Sequence, residues 1–446
     1  MPSNFRNLVI YEIYVRSHGA SGTFADVEAD LPRIRALGVD VIWFMPIHPI
    51  GKENAKGSAG CPYSIADYYE VNPEYGSKDD FAALVESAHK LGLKVMIDVV
   101  YNHTSHDSVL LHEHADWYHR DESGRPVTTV PEWSDIIDLD HGTINAPKQA
   151  LWDHLIGALK QWVRLGVDGF RCDVAAIIPL AFWLRARAEI AEINPETIWL
   201  AESVHPGFIA QRRRAGLTAH SDCELYQAFD ITYDYDIFEI WRACASGLVP
   251  VERYMEYLLQ QDSIYPDNYC KFRFVENHDQ PRVMQLVNDR GQALAWTAFQ
   301  CFNPGAFLVY AGQESAAKHK LSLFEQEVID WKNYELQDFL RRLFKLKKDP
   351  AQSGQFTVIC CEPVVQAVWQ SNDQTGLYGI FNVRSNKGDL GVFLADGVYQ
   401  DLLSDAQVEV KDGVIQAPGD AFIFRYQGKL ENFVPFSPPV WHFEMA

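Results

Sequence analysis

The chain has 446 residues, 47% of them hydrophobic and 22% charged, a length that suits two or three domains or one large barrel with an appendage. Its formal net charge of −21 argues against nucleic acid or an anionic membrane as partner, because no basic patch offsets it. Eight cysteines without a C-x-x-C pair give no sign of zinc or redox chemistry.

The N-terminal "MPSNFRNLVIYEIYV" enters a strand-like run without a basic segment or a signal-type apolar core, so a cytoplasmic location and reduced thiols are expected. Three later stretches share one pattern: "IRALGVDVIWFM", "AHKLGLKVMIDVV" and "WVRLGVDGFRCD". In each, a helical pattern ends in Leu-Gly and an apolar strand begins. Gly38, Gly92 and Gly166 fit the left-handed position just past a helix C-terminus. Leu151, Leu155, Leu159 and Trp162 recur at helical spacing before Gly166.

Near-continuous apolar strands after helices predict a parallel sheet covered by helices. With "NLVIYEIYV", "TIWLAE", the segment near "CELYQAF", "CKFRFVE" and "AFLVYAG", the candidate strands number eight. That count predicts a (β/α)8 TIM barrel over residues 1–103 and 145–350. Residues 104–144 lack helical period and are expected to form a small insertion subdomain after the third strand. "RRR" at Arg212 to Arg214 reads as an exposed helix face. Residues 351–446 alternate apolar and polar between turns, with a hairpin signal at Asp412-Gly413, and predict an antiparallel β-sandwich domain.

In a barrel of this kind, chemistry gathers at the C-terminal ends of the strands. Those ends carry Asp98, Asn102 and His103 after the third strand, Arg171 and Asp173 after the fourth, Glu202 after the fifth, and Glu276, His278 and Asp279 after the seventh. One acid at a strand end is often only a helix cap. Carboxylates from several strand ends converging on one mouth point to a catalytic centre. The 12 Trp, 20 Tyr and 25 Phe leave rings to spare for stacking on sugar faces.

"DVVYNHTS", "GFRCDVA", "WLAES" and "FVENHDQPR", in this order, resemble the four catalytic motifs of the α-amylase superfamily of glycoside hydrolases. "PYSIADYYEVNPEYGSKDDF", "IIDLD" and "LVYAGQE" are similar to its supporting stretches. The resemblance implies Asp173 as nucleophile, Glu202 as general acid/base and Asp279 as the third carboxylate gripping sugar hydroxyls. It implies substrate binding by Tyr63, His103, Arg171 and His278, with Arg171 lowering the pKa of Asp173, and Asp98 bracing the arginine. It implies an α-glucan oligosaccharide as substrate. No cofactor is required, although Asn102 matches a calcium ligand of calcium-dependent relatives.

After Asp173 the chain reads "VAAIIPL", lacking the Lys-His pair with which many secreted α-amylases hold the leaving group. The expected activity is retaining hydrolysis of α-glucosidic bonds, α-1,4 favoured, in maltodextrin-type oligosaccharides. Transfer between glucans, isomerisation and α-1,6-specific hydrolysis use the same carboxylates and stay open. A non-catalytic sugar-binding protein is disfavoured, since all three carboxylates are present.

Overall fold

Eight buried apolar runs need a partner on both edges, and closing them into a cylinder supplies one for each. In the computed structural model the strands are β1 (Val9–Ile13), β2 (Val41–Phe44), β3 (Lys94–Val99), β4 (Gly169–Cys172), β5 (Ile198–Ala201), β6 (Ile231–Tyr233), β7 (Lys271–Arg273) and β8 (Ala306–Tyr310). Each pairs in parallel with its neighbours in sequence, and β8 closes on β1, with Val9 opposite Phe307. The structure describes residues 5–143, 145–287, 289–360, 362–371, 375–428, 430 and 435–437; the side chain of Cys360 lies outside the described set.

The helices follow from the same grammar. Helices α1 (Phe24–Leu37), α2 (Lys78–Lys90) and α3 (Gln149–Leu165) each run back into the next strand. Gly38 and Gly166 follow α1 and α3 at φ 103° and 114°, and Gly92 follows α2 at φ 74°, a region costly for residues with a Cβ. Ser77 and Asp80 form a reciprocal capping box at the start of α2. Leu151, Leu155, Leu159 and Trp162 of α3 are all buried, and covering each such side chain contributes about 1.5–3 kcal/mol.

One strand lies elsewhere than the sequence pattern predicts. "CELYQAF" is a short capped helix (Asp222–Leu225) held by Ser221 and Glu224, and the sixth strand is Ile231–Tyr233. The acids Asp230 and Asp234 flank that strand and hide its apolar period. The "RRR" expectation holds for the exposed Arg213 and Arg214 and is corrected at Arg212, which, in α4 (Pro206–Arg214), is buried and reaches Thr129 of the insertion with its Nη1 3.2 Å from Oγ1.

Residues between β3 and α3 form the insertion, tied to the barrel by short strands at His103–Thr104 and Ile137–Asp138. Beyond the barrel, β9 (Gln355–Cys360), β10 (Val365–Gln370), β11 (Thr375–Phe381) and β16 (Ala421–Gln427) form an antiparallel sheet. Phe381 packs against Phe299 and Phe302 of α5 (Arg290–Phe302), and the Trp369 indole donates to the carbonyl of Phe302 at 2.7 Å. The other face of the sheet packs on two small antiparallel pairs, β12 (Asp389–Gly391) with β15 (Val414–Gln416), and β13 (Gly397–Gln400) with β14 (Gln407–Val410). Asp412 and Gly413 turn as expected, at φ 53° and 70°, although the strands they join pair with other partners.

The six described cysteines are free; Cys61 is half-buried and Cys223 exposed. Among the described residues, no helix is long and apolar enough to cross a membrane.

Candidate active site

Strand register brings the carboxylates together. Asp98 on β3 sits opposite Arg171 on β4, and Cys172 opposite Ala201 on β5, so Asp173 and Glu202 leave adjoining strand ends. Arg171, at 0% exposure, donates from Nη1 to both oxygens of Asp98 (3.0 and 3.1 Å) and to Oδ1 of Asp173 (2.8 Å). Its Nη2 is 2.8 Å from Oε1 of Glu202, an ion pair out of line for a hydrogen bond. The rings of Trp43, Tyr63 and Tyr233 lie 5.3, 5.7 and 5.4 Å from the guanidinium carbon, offsetting part of its lost hydration. An inward-facing charge on a buried strand is thus matched by three carboxylates.

Val174 adds a strained element. It adopts φ 35° and ψ 40°, rare for a β-branched residue, and there its N–H donates to Oε2 of Glu202 at 2.7 Å. The strain is held in place by the structure around it and aims a backbone donor at the acid.

The second cation is His278. Its Nδ1 pairs with Glu12 at the end of β1, while Nε2 lies 2.8 Å from the Tyr63 hydroxyl and 3.2 Å from Oδ2 of Asp279. Tyr63 in turn donates to Oδ2 of Asp98 at 3.0 Å. The side-chain oxygen of Asn277 accepts from the N–H groups of Asp279 and Gln280, an Asx turn that swings Asp279 out over the mouth.

Two buried cations face five carboxylates, with Lys320 acting on Asp279 from the rim, and this shortage of positive charge means that protons are retained. Burial, then the charges of Asp173 and Asp279, pushes Glu202 up to about 7. Burial and Asp173 push Asp98 up to about 8 against the pull of Arg171. Burial raises Asp173 as well, and Arg171 offsets only part of the effect, which corrects the expectation of a carboxyl held low by its arginine. Burial opposes ionisation of Asp279, but the charge and hydrogen bond of His278 outweigh it and hold Asp279 at about 2. His278 itself is lifted to about 10, Asp279 and Glu12 overcoming its burial. His103 is lowered by burial and stands neutral.

Asp173, Glu202, Asp279, Tyr63, His103 and His278 all line one cleft of about 220 Å3 at the barrel mouth. Arg171 and Asp98 lie beneath it. Glu276 does not join them: it pairs with Arg282 at 2.7 Å, accepts from the N–H of Val283, and shapes the turn after β7. The cleft also takes in residues the sequence reading missed. Trp133 of the insertion lies 5.8 Å from the His103 ring, Lys56 pairs with Asp135 at 2.7 Å, and Phe324 arrives from the loop after β8. No local pattern marks such loop residues. Glu12 had a signal, a lone acid in the apolar run "VIYEI".

The calcium ligand implied at Asn102 meets a different environment. Its amide nitrogen is 3.3 Å from Oδ1 of Asp138, and its carbonyl accepts from the N–H of Leu139. Oδ2 of Asp138 accepts from the N–H and hydroxyl of Thr129. Among the described residues no group of three or more His, Cys, Asp or Glu could hold a metal ion. These donors and acceptors satisfy one another, and they do not fit a calcium cage.

The fold is shared with proteins of known structure over nearly the whole chain. An alpha-amylase of Lactobacillus plantarum is 41% identical, with a TM-score of 0.91 over 95% of this chain and 99% of that one. A maltogenic alpha-amylase of Thermotoga neapolitana is 33% identical, with a TM-score of 0.83 over 95% and 99%. An alpha-amylase of Haloarcula japonica is 27% identical over 80% of this chain, which spans about half (51%) of that curated relative. The family description of a bacterial alpha amylase C-terminal domain matches residues 358–424. Residues 4–355 match that of the alpha amylase catalytic domain, and the chain belongs to the alpha-amylase family of enzymes.

Proposed function

We propose that the protein hydrolyses α-glucosidic bonds, α-1,4 by preference, in maltodextrin-type oligosaccharides with retention of configuration. The observation that carries this reading is Arg171, whose guanidinium touches both Asp173 and Glu202 at the floor of the cleft. One shared guanidinium favours the short carboxyl separation of about 5–5.5 Å used by retaining pairs. Glu202, lifted to about 7, keeps a proton near neutrality and delivers it to the glycosidic oxygen as the bond breaks.

Asp173, paired with Arg171, attacks the anomeric carbon and forms a glycosyl ester. Glu202, now ionised, takes a proton from water, which displaces Asp173 and restores both groups. Asp279, kept anionic by His278, steadies the positive charge developing on the ring. Tyr63 and His103 present an aromatic face and a neutral imidazole to the same sugar.

Transfer to a second sugar is the other reading, and a specific likeness favours it. The Rhodospirillum rubrum alpha-1,4-glucan:maltose-1-phosphate maltosyltransferase is 30% identical over 60% of this chain and 38% of that protein. Incubation with maltoheptaose, pullulan, isomaltose and maltose 1-phosphate, with products resolved over time and by anomer, separates the two. Early α-anomers shorter than maltoheptaose support hydrolysis, and early products longer than the substrate support transfer. No turnover of any of the four would overturn both.

A further inference from the structure

Glu12 is fully buried, at the end of β1, 266 residues from His278 in sequence, and the two side chains meet directly. Its second oxygen, Oε2, finds no hydrogen-bond partner, so the carboxylate spends itself on the imidazole. A buried carboxylate placed so has a large electrostatic cost unless it does something for its one partner. That partner is also fixed by the edge of Trp43, 5.9 Å away, and by the hydroxyl of Tyr63. Its far nitrogen faces Asp279.

We propose that Glu12 is a positioning residue that keeps His278 an imidazolium, and through it keeps Asp279 anionic and aimed over the cleft. The chain runs from β1 across the mouth: Glu12 to Nδ1, Nε2 to Asp279. With both ring nitrogens donating, the imidazole cannot tilt, and its ionised state is tied to a carboxylate that no substrate reaches. Asp98 and Asp173 also face the ring from β3 and the end of β4, and their charges act on it in the same direction. Tyr63 contributes a hydroxyl that stays protonated, because burial raises it well above its usual range. Of these groups, Glu12 and Asp98 lie outside the cleft, and of the two it is Glu12 that pairs with the ring, so it acts on the charge of His278 whether or not sugar is bound. The role assigned to Asp279 rests on the proposed hydrolytic reading; the link from Glu12 to His278 does not.

The test is a titration of the intact protein. Imidazole nitrogens labelled with 15N are followed by NMR from pH 5 to 10.5, the His278 resonance being identified by its loss in His278→Gln. In the wild type this ring should remain doubly protonated past pH 8. In Glu12→Gln, which keeps shape and removes charge, its titration should move down by more than one unit. The kcat/KM of that variant on maltoheptaose should be within about threefold of wild type at pH 5.5 and at least tenfold below wild type at pH 8. A wild-type His278 titrating near its ordinary value would overturn the proposal even if Glu12→Gln failed to fold. So would an unchanged titration in a folded variant. Should the ring behave as expected while maltoheptaose is not cleaved, the Glu12–His278 link stands and the hydrolytic reading fails.

Discussion

Two buried acid clusters stand in this barrel, and their electrostatics differ. At the mouth, Asp98, Asp173 and Glu202 share the single guanidinium of Arg171. Along β6 and β7, Asp222 and Asp236 share Lys271, and Asp234 has Arg273 to itself at 2.7 Å. Neutral donors complete the second cluster: Gln261 reaches Asp234 and Asp236, and Tyr265 reaches Asp236, which lies below the ordinary carboxylate range despite its burial. In sequence, "DITYDYDI" is denser in acid than any catalytic motif. Density and burial therefore do not mark catalytic acids. Nor does a raised carboxyl alone, since burial lifts Asp222 to about 6 and raises Asp234 as well; a face on the cleft does separate them, because Glu202, lifted to about 7, lines it and none of the three β6–β7 acids does.

The difference is tested most sharply at the nucleophile. Asp173→Asn should lower kcat by at least about a thousandfold, because an amide cannot form the glycosyl ester, with the circular dichroism spectrum unchanged. Retention of a tenth of the activity would remove Asp173 from that role. Glu202→Gln should match that loss on natural oligosaccharides, whose leaving groups need a proton. On α-glucosyl fluoride, which departs almost unassisted, it should show a burst, then slow turnover that azide accelerates to an α-glycosyl azide. Equal losses on both substrates, without azide rescue, would make Glu202 a mere strand-end acid.

Much of this contrast was legible in the sequence, and the remainder was hidden for physical reasons. The barrel followed from Leu-Gly punctuation and apolar strands, and the acid at each strand end from its place in the motif. The insertion's Trp133 and the β8-loop residue Phe324 were not legible, since a loop's contribution to a cleft depends on tertiary placement. Glu12 was visible as one acid in "VIYEI", but its partner lies across the barrel. The direction of the Asp173 shift was not legible because adjacency to Arg171 is a sequence fact, whereas the burial that outweighs the guanidinium is a structural one.

Smaller effects sharpen the comparison through pH. Glu202 must be protonated to act, so kcat/KM should fall about tenfold per unit above pH 7, the alkaline limb reporting its titration. That limb should vanish for α-glucosyl fluoride in Glu202→Gln. The same shift governs stability. Below pH 4.5 the carboxyl is protonated folded or unfolded and costs nothing. As pH rises towards 7 the unfolded chain ionises while the folded one does not, and stability is lost, by about 3 kcal/mol at most. Glu202→Gln should therefore raise the melting temperature more at pH 8 than at pH 4.5. Asp234→Asn should do the reverse of a catalytic change. It strands the buried Arg273 at a cost of about 3–5 kcal/mol, lowering the melting temperature while kcat per folded molecule stays within about twofold.

The smallest expected effect is none, and it concerns a third buried acid, Asp138. A carboxylate at the junction of barrel and insertion is where a cation could be required to hold two layers together. Here Asp138 is met by Thr129 through two hydrogen bonds and by the Asn102 amide, and Arg212 reaches the same threonine from α4. The guanidinium is tethered to the chain, so it cannot be stripped from the junction as a free ion can. We therefore expect a chelator to leave both the rate on maltoheptaose and the melting temperature unchanged. Arg212→Ala should lower the melting temperature and make the insertion more susceptible to protease, because Thr129 would lose the guanidinium that reaches it and Asp138 a positive charge that acts on it. Complete, calcium-reversible loss of activity on chelation would show instead that Asn102 and Asp138 open to bind the ion. The junction would then depend on the metal and not on Arg212.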